Sequence, residues 1–570
     1  MDVFDVVIIG SGISGLRAAQ NITQEFSRWK ICIVEQNAKC GGRIKTVGDN
    51  DCDRYEAGPW RVHKSHEKTL ALLEKYGEKT TKFNNEKHEK HYHCDTELTE
   101  QMKIHDLKKN VKTSLSTWDI TGLEYGVDEA NRRGYSLGYG PEFQQGAYGS
   151  NVYRVDSTNR DTGHNDFISV DNGLSSLVES MQKELESNKS VTFLFKHKVT
   201  DLSYRKRSRS CHRFDCHNCD KYLITTKIRD REVKDKDGKV IEAPFIEKKI
   251  RGKVVIVAVP PRCTKDWPSS SAQFELIRSQ VKSLPLIHVY AKGEERIQMR
   301  KDDTEKKASN NVHIIHDGIS RQIISPAAAA TSLRRARIMN PCHRWIQIAY
   351  TGGEAAEALQ RLRLIDLGVL RDVIHTDHIK AGVDEDFLQR QPWVQSDRNN
   401  LDLVLKPSYY ANAVHMWRPT FKFDAKVASQ LAVTAVNPSK LPGLTMIGEA
   451  VSLKQGWIEG ALETADMATE FIRKFKKSRH AAIEQFSRLP QGGVIGSRYL
   501  IYNNWLIDVH EWMHVHPGSR QAIEKYLVNE KIMDITNVFR HIDHSENAFS
   551  ILASLRRGYK MRKSYYLFPF

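Results

Sequence analysis

The sequence predicts an α/β fold divided into more than one domain, on three observations. Val6-Val7-Ile8-Ile9 is an apolar run that stops at Gly10-Ser11-Gly12-Ile13-Ser14-Gly15 and passes into the helix-forming Leu16-Arg17-Ala18-Ala19. A second apolar run, Ile31-Cys32-Ile33-Val34, ends on an acid, Glu35. Far along the chain, residues 254–259 read as a buried strand stopped by Pro260-Pro261, and residues 441–449 as another that ends in Gly448-Glu449. At 570 residues the chain is long enough for two or more cores.

The first two runs belong to one chemical device. Without side chains, the glycine turn closes tightly and lets a pyrophosphate reach the N–H groups at the helix N-terminus. Glu35, at the end of the second strand, stands where an acid takes ribose hydroxyls. The glycine spacing alone is weak evidence; a strand before it and a helix after it make it a dinucleotide site.

Bulk properties exclude several classes. No run of eighteen apolar residues occurs, so no integral membrane segment is expected, and the apolar residues near the N-terminus belong to the first strand rather than to a signal peptide. The closing Tyr565-Tyr566-Leu567-Phe568-Pro569-Phe570 is too short for an anchor. Nine cysteines, an odd number without framework spacing, fit a reducing compartment, and a cytoplasmic location is expected. The net charge of +16 is dispersed along the chain with no nucleic-acid-binding motif, so a solvated basic surface is expected and no nucleic-acid partner.

More motifs follow in order. Cys40-Gly41-Gly42-Arg43-Ile44 comes directly after Glu35, then Tyr55-Glu56-Ala57-Gly58-Pro59-Trp60-Arg61. Asp171-Asn172-Gly173-Leu174 precedes a helix and an extended segment over residues 191–199, and Gln455-Gly456-Trp457-Ile458-Glu459-Gly460-Ala461 opens a late helix. Together these resemble the flavin-containing amine oxidase family, which includes monoamine, polyamine and L-amino acid oxidases, over about residues 1–475.

The resemblance implies a Rossmann-like FAD-binding domain (residues 1–60, 165–262 and 435–478) interleaved with an α+β substrate-binding domain (61–164 and 263–434). It implies that Gly10, Gly12, Ser14, Gly15, Glu35, Gly42, Arg43, Gly58, Pro59, Trp60, Val199, Glu449, Gly456, Ile458 and Ala461 hold FAD. Val199 is expected near the adenine and Glu449 at the ribityl chain. A helix beginning at Gly456 would turn its positive end to the N1/O2 edge of the flavin. No cysteine follows Cys342, so the covalent linkage used by some family members is excluded and the FAD is expected to be non-covalent.

Four residues carry the expected chemistry. Arg61 resembles the arginine with which L-amino acid oxidases grip a carboxylate, as a guanidinium fork does bidentately; pairing with a protein acid or an FAD phosphate stays open. Tyr410, of the pair Tyr409-Tyr410, falls near that family's carboxylate-binding tyrosine, and core packing of both rings is the other reading. Lys292 ends Leu286-Ile287-His288-Val289-Tyr290-Ala291-Lys292, which resembles the strand whose last lysine holds a water at flavin N5. Trp457 would wall the pocket or belong to the core. Residues 320–326 and 345–350 resemble paired strands of the substrate domain.

The last hundred residues add a second resemblance. His516-Pro517-Gly518-Ser519 and His544-Ser545 resemble the haem-binding turns of cytochrome b5, in a small α+β domain over residues 496–562 after a linker at 479–495. His516 and His544 would be the axial metal ligands of a haem b. Ser519 replaces the family's second glycine, and the two histidines stand 28 residues apart (544 − 516), wider than usual. Two imidazole ligands leave such a haem to exchange single electrons.

Cys211, His212, Cys216, His217 and Cys219 offer thiolate and imidazole ligands to zinc, at compressed spacing and with no second paired-cysteine motif, and His88, His91, His93 and Cys94 form a second cluster. A surface insertion and a polar strand are the simpler readings.

The expected function is FAD-dependent oxidative deamination of an L-amino acid to a keto acid and ammonia, with hydride passing to flavin N5. Electrons would go on to oxygen, giving hydrogen peroxide, or through the haem to a redox partner protein. The alternatives are a primary-amine or polyamine oxidase and, in another class, a catalytically weak flavo-haem scaffold. A homodimer is compatible with all three.

Overall fold

A computed structural model describes residues 3–48, 53–82, 88–91, 115–136, 144, 167–204, 222–228, 233–234, 240–241, 246–293, 313–316, 318–324, 344–418, 443–486, 499–502, 505–509, 512–514, 520–524, 526, 535, 539 and 556–560. The chain divides into two compact units: residues 1–42, 179–281 and 420–570 form the first, and 43–178 and 282–419 the second.

The first unit is built on a seven-stranded sheet. Strand Val3–Ile9 lies at its middle, parallel to Ile31–Val34 on one side and to Ile246–Val257 on the other. Val191–Leu194 extends the parallel run beyond Ile31–Val34, and Leu444–Met446 pairs parallel with the end of Ile246–Val257. His197–Tyr204 and Tyr222–Ile228 add an antiparallel wing. Central strands buried on both faces need continuous apolar runs, and Val6, Val7, Ile8, Ile31, Ile33, Val255 and Ile256 are fully buried. Helix Ile13–Glu25 packs against the long helix Ile458–Phe486. Arg17 and Asn21 of the former donate to Asp466 Oδ1 of the latter at 3.0 and 2.7 Å.

Residues 191–199 are divided by Lys196, at a left-handed φ of 62°, into Val191–Leu194 and the start of His197–Tyr204, which pair with different neighbours. One boundary differs from expectation. The late helix begins at Ile458 rather than at Gly456. Gly456 adopts φ 79°, and its N–H is taken by Glu449 Oε2 at 2.8 Å, which closes a turn before the helix.

The second unit holds a six-stranded sheet in the order Leu405–Trp417, Val281–Gly293, Arg344–Gly352, Gln322–Ile324, His313–His316, His88–His91. Residues 322–324 and 344–352 pair antiparallel, with Ile324 opposite Gln347. One sheet face is a dry core. Ile287, Val289, Ala291, Ile346, Ile348 and Leu405 pack there against Leu370, Ile374, Phe387 and Trp393 from the helices that follow. Smaller pieces complete the unit: the hairpin Thr46–Val47/Tyr55–Glu56, a three-stranded sheet of Val62–His63, Phe167–Val170 and Thr80–Lys82, and helix Glu67–Lys75, which buries Leu72 and Leu73.

In the C-terminal region, Tyr499–Tyr502, Trp505–Asp508 and Arg556–Lys560 form a three-stranded antiparallel sheet. His516 and His544 lie outside the described residues, as do the cysteine cluster at 211–219 and His93-Cys94. Among the described residues no helix is long and apolar enough to cross a membrane, and no group of three or more His, Cys, Asp or Glu could hold a metal ion.

Candidate active site

In the first unit the glycine turn is closed by backbone sterics. A Cβ on Gly15 would lie 2.1 Å from the Gly10 carbonyl oxygen, and Gly10 itself, at φ 105°, would bring one to 2.8 Å from Ala258 O. Gly12 is the opposite case: a Cβ there meets no heavy atom within 4 Å. Gly12 also stands at the N-cap of Ile13–Glu25, a helix with no side-chain cap and no acid in its first turn. The helix therefore presents unneutralised N–H dipoles to open space beside a glycine, the setting that receives an anionic phosphate. That observation fits the residues to the dinucleotide that the motif implies.

The second strand delivers Glu35 to the same place. Its Oε2 accepts from Ser11 N–H at 2.9 Å and Ser11 Oγ–H at 2.8 Å, and its Oε1 from Asn37 N–H at 2.8 Å and Asn37 Nδ2–H at 2.9 Å. These four donors use every lone-pair direction of a carboxylate, so a ribose hydroxyl binding here takes the place of one side-chain donor. The following turn folds back on the cradle: Gly41 N–H donates to Ser11 O at 3.1 Å, and Gly42, at φ 62°, abuts Gly12 Cα. Burial pushes the Cys40 thiol up to about 11, so this cysteine is a poor nucleophile. Gly448 comes within reach of Ser14, its Cβ position being 3.9 Å from Ser14 Oγ. Buried Glu449 follows, holding Gly456 ahead of Ile458 and Ala461. The unit thus gathers Gly10, Gly12, Ser14, Gly15, Glu35, Gly42 and the Gly448-Glu449 turn. Val199 lies on the antiparallel wing, its carbonyl accepting from Trp267 Nε1 at 3.2 Å, and Trp457 is half-buried just before the long helix.

In the second unit the other face of the six-stranded sheet carries aromatic and polar side chains. Along residues 286–292 the apolar 287, 289 and 291 enter the core, so His288, Tyr290 and Lys292 share the opposite face. A register shift at Val289/Tyr290 lets Tyr350 pair with His288 and Trp345 with Lys292. The His288 and Tyr350 rings are 4.7 Å apart, and Tyr55, from the hairpin, lies 4.8 Å from Tyr290 and 5.3 Å from Trp345. Strand alternation also separates the tyrosine pair: Tyr409 packs on the core, whereas Tyr410 is turned to the other side, within electrostatic reach of Glu56, Tyr55 and Arg43. Burial first, then the Glu56 and Tyr55 charges, raises the Tyr410 phenol above its ordinary value, so the ring stays neutral.

Glu56 lies beneath this cluster. Its carboxylate accepts from Leu174 N–H at 2.6 Å and from Thr46 Oγ1–H at 3.0 Å, and Tyr290 Oη–H donates to its carbonyl at 2.7 Å. Burial outweighs these donors and pushes the carboxyl up to about 7. His288 is held neutral, its ring pushed down to about 3 by burial, with Gln347 Nε2–H donating to Nδ1 at 2.9 Å.

The remaining expected residues of this unit are placed as follows. Arg43 Nη1–H donates to Ala413 O at 2.8 Å, and Gly58 lies so close that a Cβ would be 1.9 Å from Arg43 O. Trp60 and Arg61 continue from it, with the Arg61 guanidinium stacked over Phe167 at 4.3 Å and over Trp60 at 4.9 Å. Lys292 Nζ is 3.2 Å from Asp53 Oδ1 and 5.4 Å from the Trp345 ring centre.

Sequence reasoning named Arg43, Arg61, Lys292 and Tyr410 but gave no role to Tyr55, Glu56, His288, Tyr290, Trp345 or Tyr350. For His288 and Tyr290 the signal was present in the alternation of residues 287–292, where His, Tyr and Lys interleave with Ile, Val and Ala; Tyr55, Glu56, Trp345 and Tyr350 join them only through the fold.

A family model described as NAD(P)-binding Rossmann-like domain matches residues 8–76. The flavin-containing amine oxidase of Danio rerio is 32% identical over 91 residues, 16% of this chain and 17% of that protein. The flavin-containing amine oxidase A of Bos taurus is 33% identical over 90 residues, again 16% and 17%. The aligned stretch thus spans about 17% of the length of these curated relatives. Wild-type putrescine oxidase with putrescine bound superposes with a TM-score of 0.55 at 13% identity, covering 83% of this chain and 99% of that one. A double mutant of putrescine oxidase gives a TM-score of 0.53 at 14% identity with the same coverage.

The chain has the amine-oxidase fold. Its Rossmann-like part is the first unit's sheet and glycine turn, and the mixed α/β body supplies the aromatic face.

Proposed function

We propose that this chain is an FAD-dependent amine oxidase whose substrate is a primary amine or a polyamine. The observation that carries the reading is the aromatic face of the second unit, where the rings of Tyr55, Tyr290, Trp345, His288 and Tyr350 lie against one another on one side of the sheet. Ring faces attract ammonium groups and cover apolar methylenes, and each such contact is worth about 0.5–2 kcal/mol. The Arg61 guanidinium, which a carboxylate substrate would call on, has its faces stacked on Phe167 and Trp60. The likeness in fold to a putrescine oxidase points the same way.

FAD, when bound, supplies the acceptor for a hydride from the carbon that bears the amine. In this reading the glycine turn and the N-terminus of Ile13–Glu25 hold its pyrophosphate, Glu35 its ribose and Glu449 its ribityl chain, with Arg43 and Gly58 to Trp60 along it and Val199 by the adenine. Gly456, Ile458 and Ala461 form the helix start beside the ring, and Trp457 walls the pocket. Tyr410, neutral and flanked by Tyr55, orients the amine. Lys292 keeps an ammonium at the rim of the aromatic face, placed to stabilise negative charge that develops as oxygen is reduced.

The L-amino acid reading differs in one residue's task, and Arg61→Ala separates the two. For an amine substrate, kcat/KM is expected to stay within about threefold of wild type; a carboxylate substrate would lose about one to two orders of magnitude with the bidentate contact. L-amino acid turnover by the wild type, lost in Arg61→Ala, would overturn the amine reading. The haem is proposed from His516 and His544 in the sequence alone. A reduced α-band after anaerobic addition of substrate is the result that supports it, and flavin bleaching without that band would leave oxygen as the acceptor.

A further inference from the structure

Lys292 has a partner from a distant segment of the chain. Its ammonium lies 3.2 Å from Asp53 Oδ1, across from Trp345, with about a third of the lysine side chain and half of the aspartate still exposed to water. A lysine carries several rotatable bonds and much rotamer entropy, so a strand end alone does not decide where its charge rests.

Asp53 is well suited to decide it. It stands at the turn end of the hairpin Thr46–Val47/Tyr55–Glu56, and its carbonyl oxygen is packed so closely on Gly48 that a Cβ there would lie 2.1 Å away. Gly48 meets this with φ 92°, open to glycine at no cost. Two residues on, Tyr55 leans on Trp345 and Tyr290, and Glu56 is tied to Thr46 and Leu174. The carboxylate is therefore delivered by a segment fixed at both ends to the unit that carries Lys292.

We propose that Asp53 is a positioning residue which, through its ion pair, holds the Lys292 ammonium against Trp345 at the rim of the aromatic face. The inference rests on the amine-oxidase reading, in which that rim borders the reacting atoms. Removing the carboxylate leaves the lysine in place and charged but lets it leave the rim. Oxygen reduction is the step that suffers, because it is there that negative charge develops; binding of the amine is untouched.

The test compares flavin-loaded wild type with Asp53→Asn, Asp53→Glu and Lys292→Met. Brief acetylation followed by peptide mass spectrometry reads Lys292 without any turnover. Release from a half-exposed ion pair is expected to raise its modification rate about two- to fivefold in Asp53→Asn, and Asp53→Glu is expected to bring it back. In turnover, Asp53→Asn should lower kcat/KM for oxygen by a similar factor while KM for the amine holds. In the Lys292→Met background the same change should add nothing. Equal modification rates in wild type and Asp53→Asn would overturn the assignment, as would an oxygen effect that persists without Lys292. A wild type that oxidises no amine would instead overturn the functional reading and the assignment with it, even with the ion pair intact in the acetylation data.

Discussion

Glu56 concentrates the energetics of the second unit in one carboxyl. An acid whose folded value is about 7, against an ordinary 4.5, keeps its proton in the folded state over a range where the unfolded chain has lost it. Between those values the native state binds more protons, so the contribution of Glu56 to stability falls as pH rises from about 4.5 to about 7, by something of the order of 3 kcal/mol in all. Denaturant unfolding of wild type and Glu56→Gln followed from pH 4.5 to 8 should show that fall in the difference between them, the variant gaining on the wild type as pH rises. A difference that stays constant with pH would show that Glu56 makes no such contribution. The buried histidines run the other way. His288 and His378 are both pushed down to about 3 by burial, His378 while donating from Nε2 to Ile348 O at 2.7 Å. Their neutral forms stabilise the fold fully above about 6.5, and each loses about 1.4 kcal/mol per pH unit below it. Gly15 is the matching test in the first unit. A side chain 2.1 Å from the Gly10 carbonyl cannot be accommodated without opening the turn, so Gly15→Ala should purify without flavin colour and with a lowered Tm.

At the scale of elements, local rules account for where the helices begin. Asp366 caps Leu367–Lys380, its Oδ1 accepting from Gly368 and Val369 N–H, and Asp366→Ala should cost about 1 kcal/mol in unfolding free energy. The turn between His313–His316 and Gln322–Ile324 is held more tightly. Gly318 N–H donates to His316 Nδ1 at 3.1 Å, which leaves Nε2–H to donate to Ser320 Oγ, while Ser320 N–H donates to Asp377 Oδ2 at 2.8 Å. The set has the residue types of a hydrolytic triad, but the tautomer is wrong for a base and all three side chains are buried, so its work is to seat the turn on helix Leu367–Lys380. A Cβ on Gly318 would lie 2.7–2.8 Å from the Asp377 carboxylate. Gly318→Ala is therefore expected to destabilise by more than the loss of the Asp366 cap, measurable in the same unfolding experiment, even though Gly318 has no unusual φ.

For the molecule as a whole, the sequence and the structure agree most closely where the chain is local. The strand, glycine turn, helix and acid of residues 3–35 follow one another without interruption, and their periodicity and missing side chains are read directly. The same holds for the paired strands at 322–324 and 344–352 and for the buried strand ahead of Pro260. Legibility weakens where a role depends on company. The motif of Arg61 points to a carboxylate, and the fold adds that its guanidinium stacks on Trp60 and on Phe167, which is more than a hundred residues away in the chain. The strand of Lys292 points to its position, and its partner Asp53 comes from a hairpin more than two hundred residues earlier.

The sequence by itself determined the strand, glycine turn, helix and acid of residues 3–35, because strand period, glycine positions and helix start are set by near neighbours; the packing of Ala258 and Gly448 on that turn came from the tertiary structure. Only the tertiary structure decided the aromatic face. It is assembled from residues 55–56, 288–292, 345–350 and 410, and which of their side chains meet depends on strand order and on one register shift at Val289/Tyr290. The same non-local packing gives Glu56 its neutral-range carboxyl, since desolvation is a property of everything that surrounds a group and of nothing in its own segment.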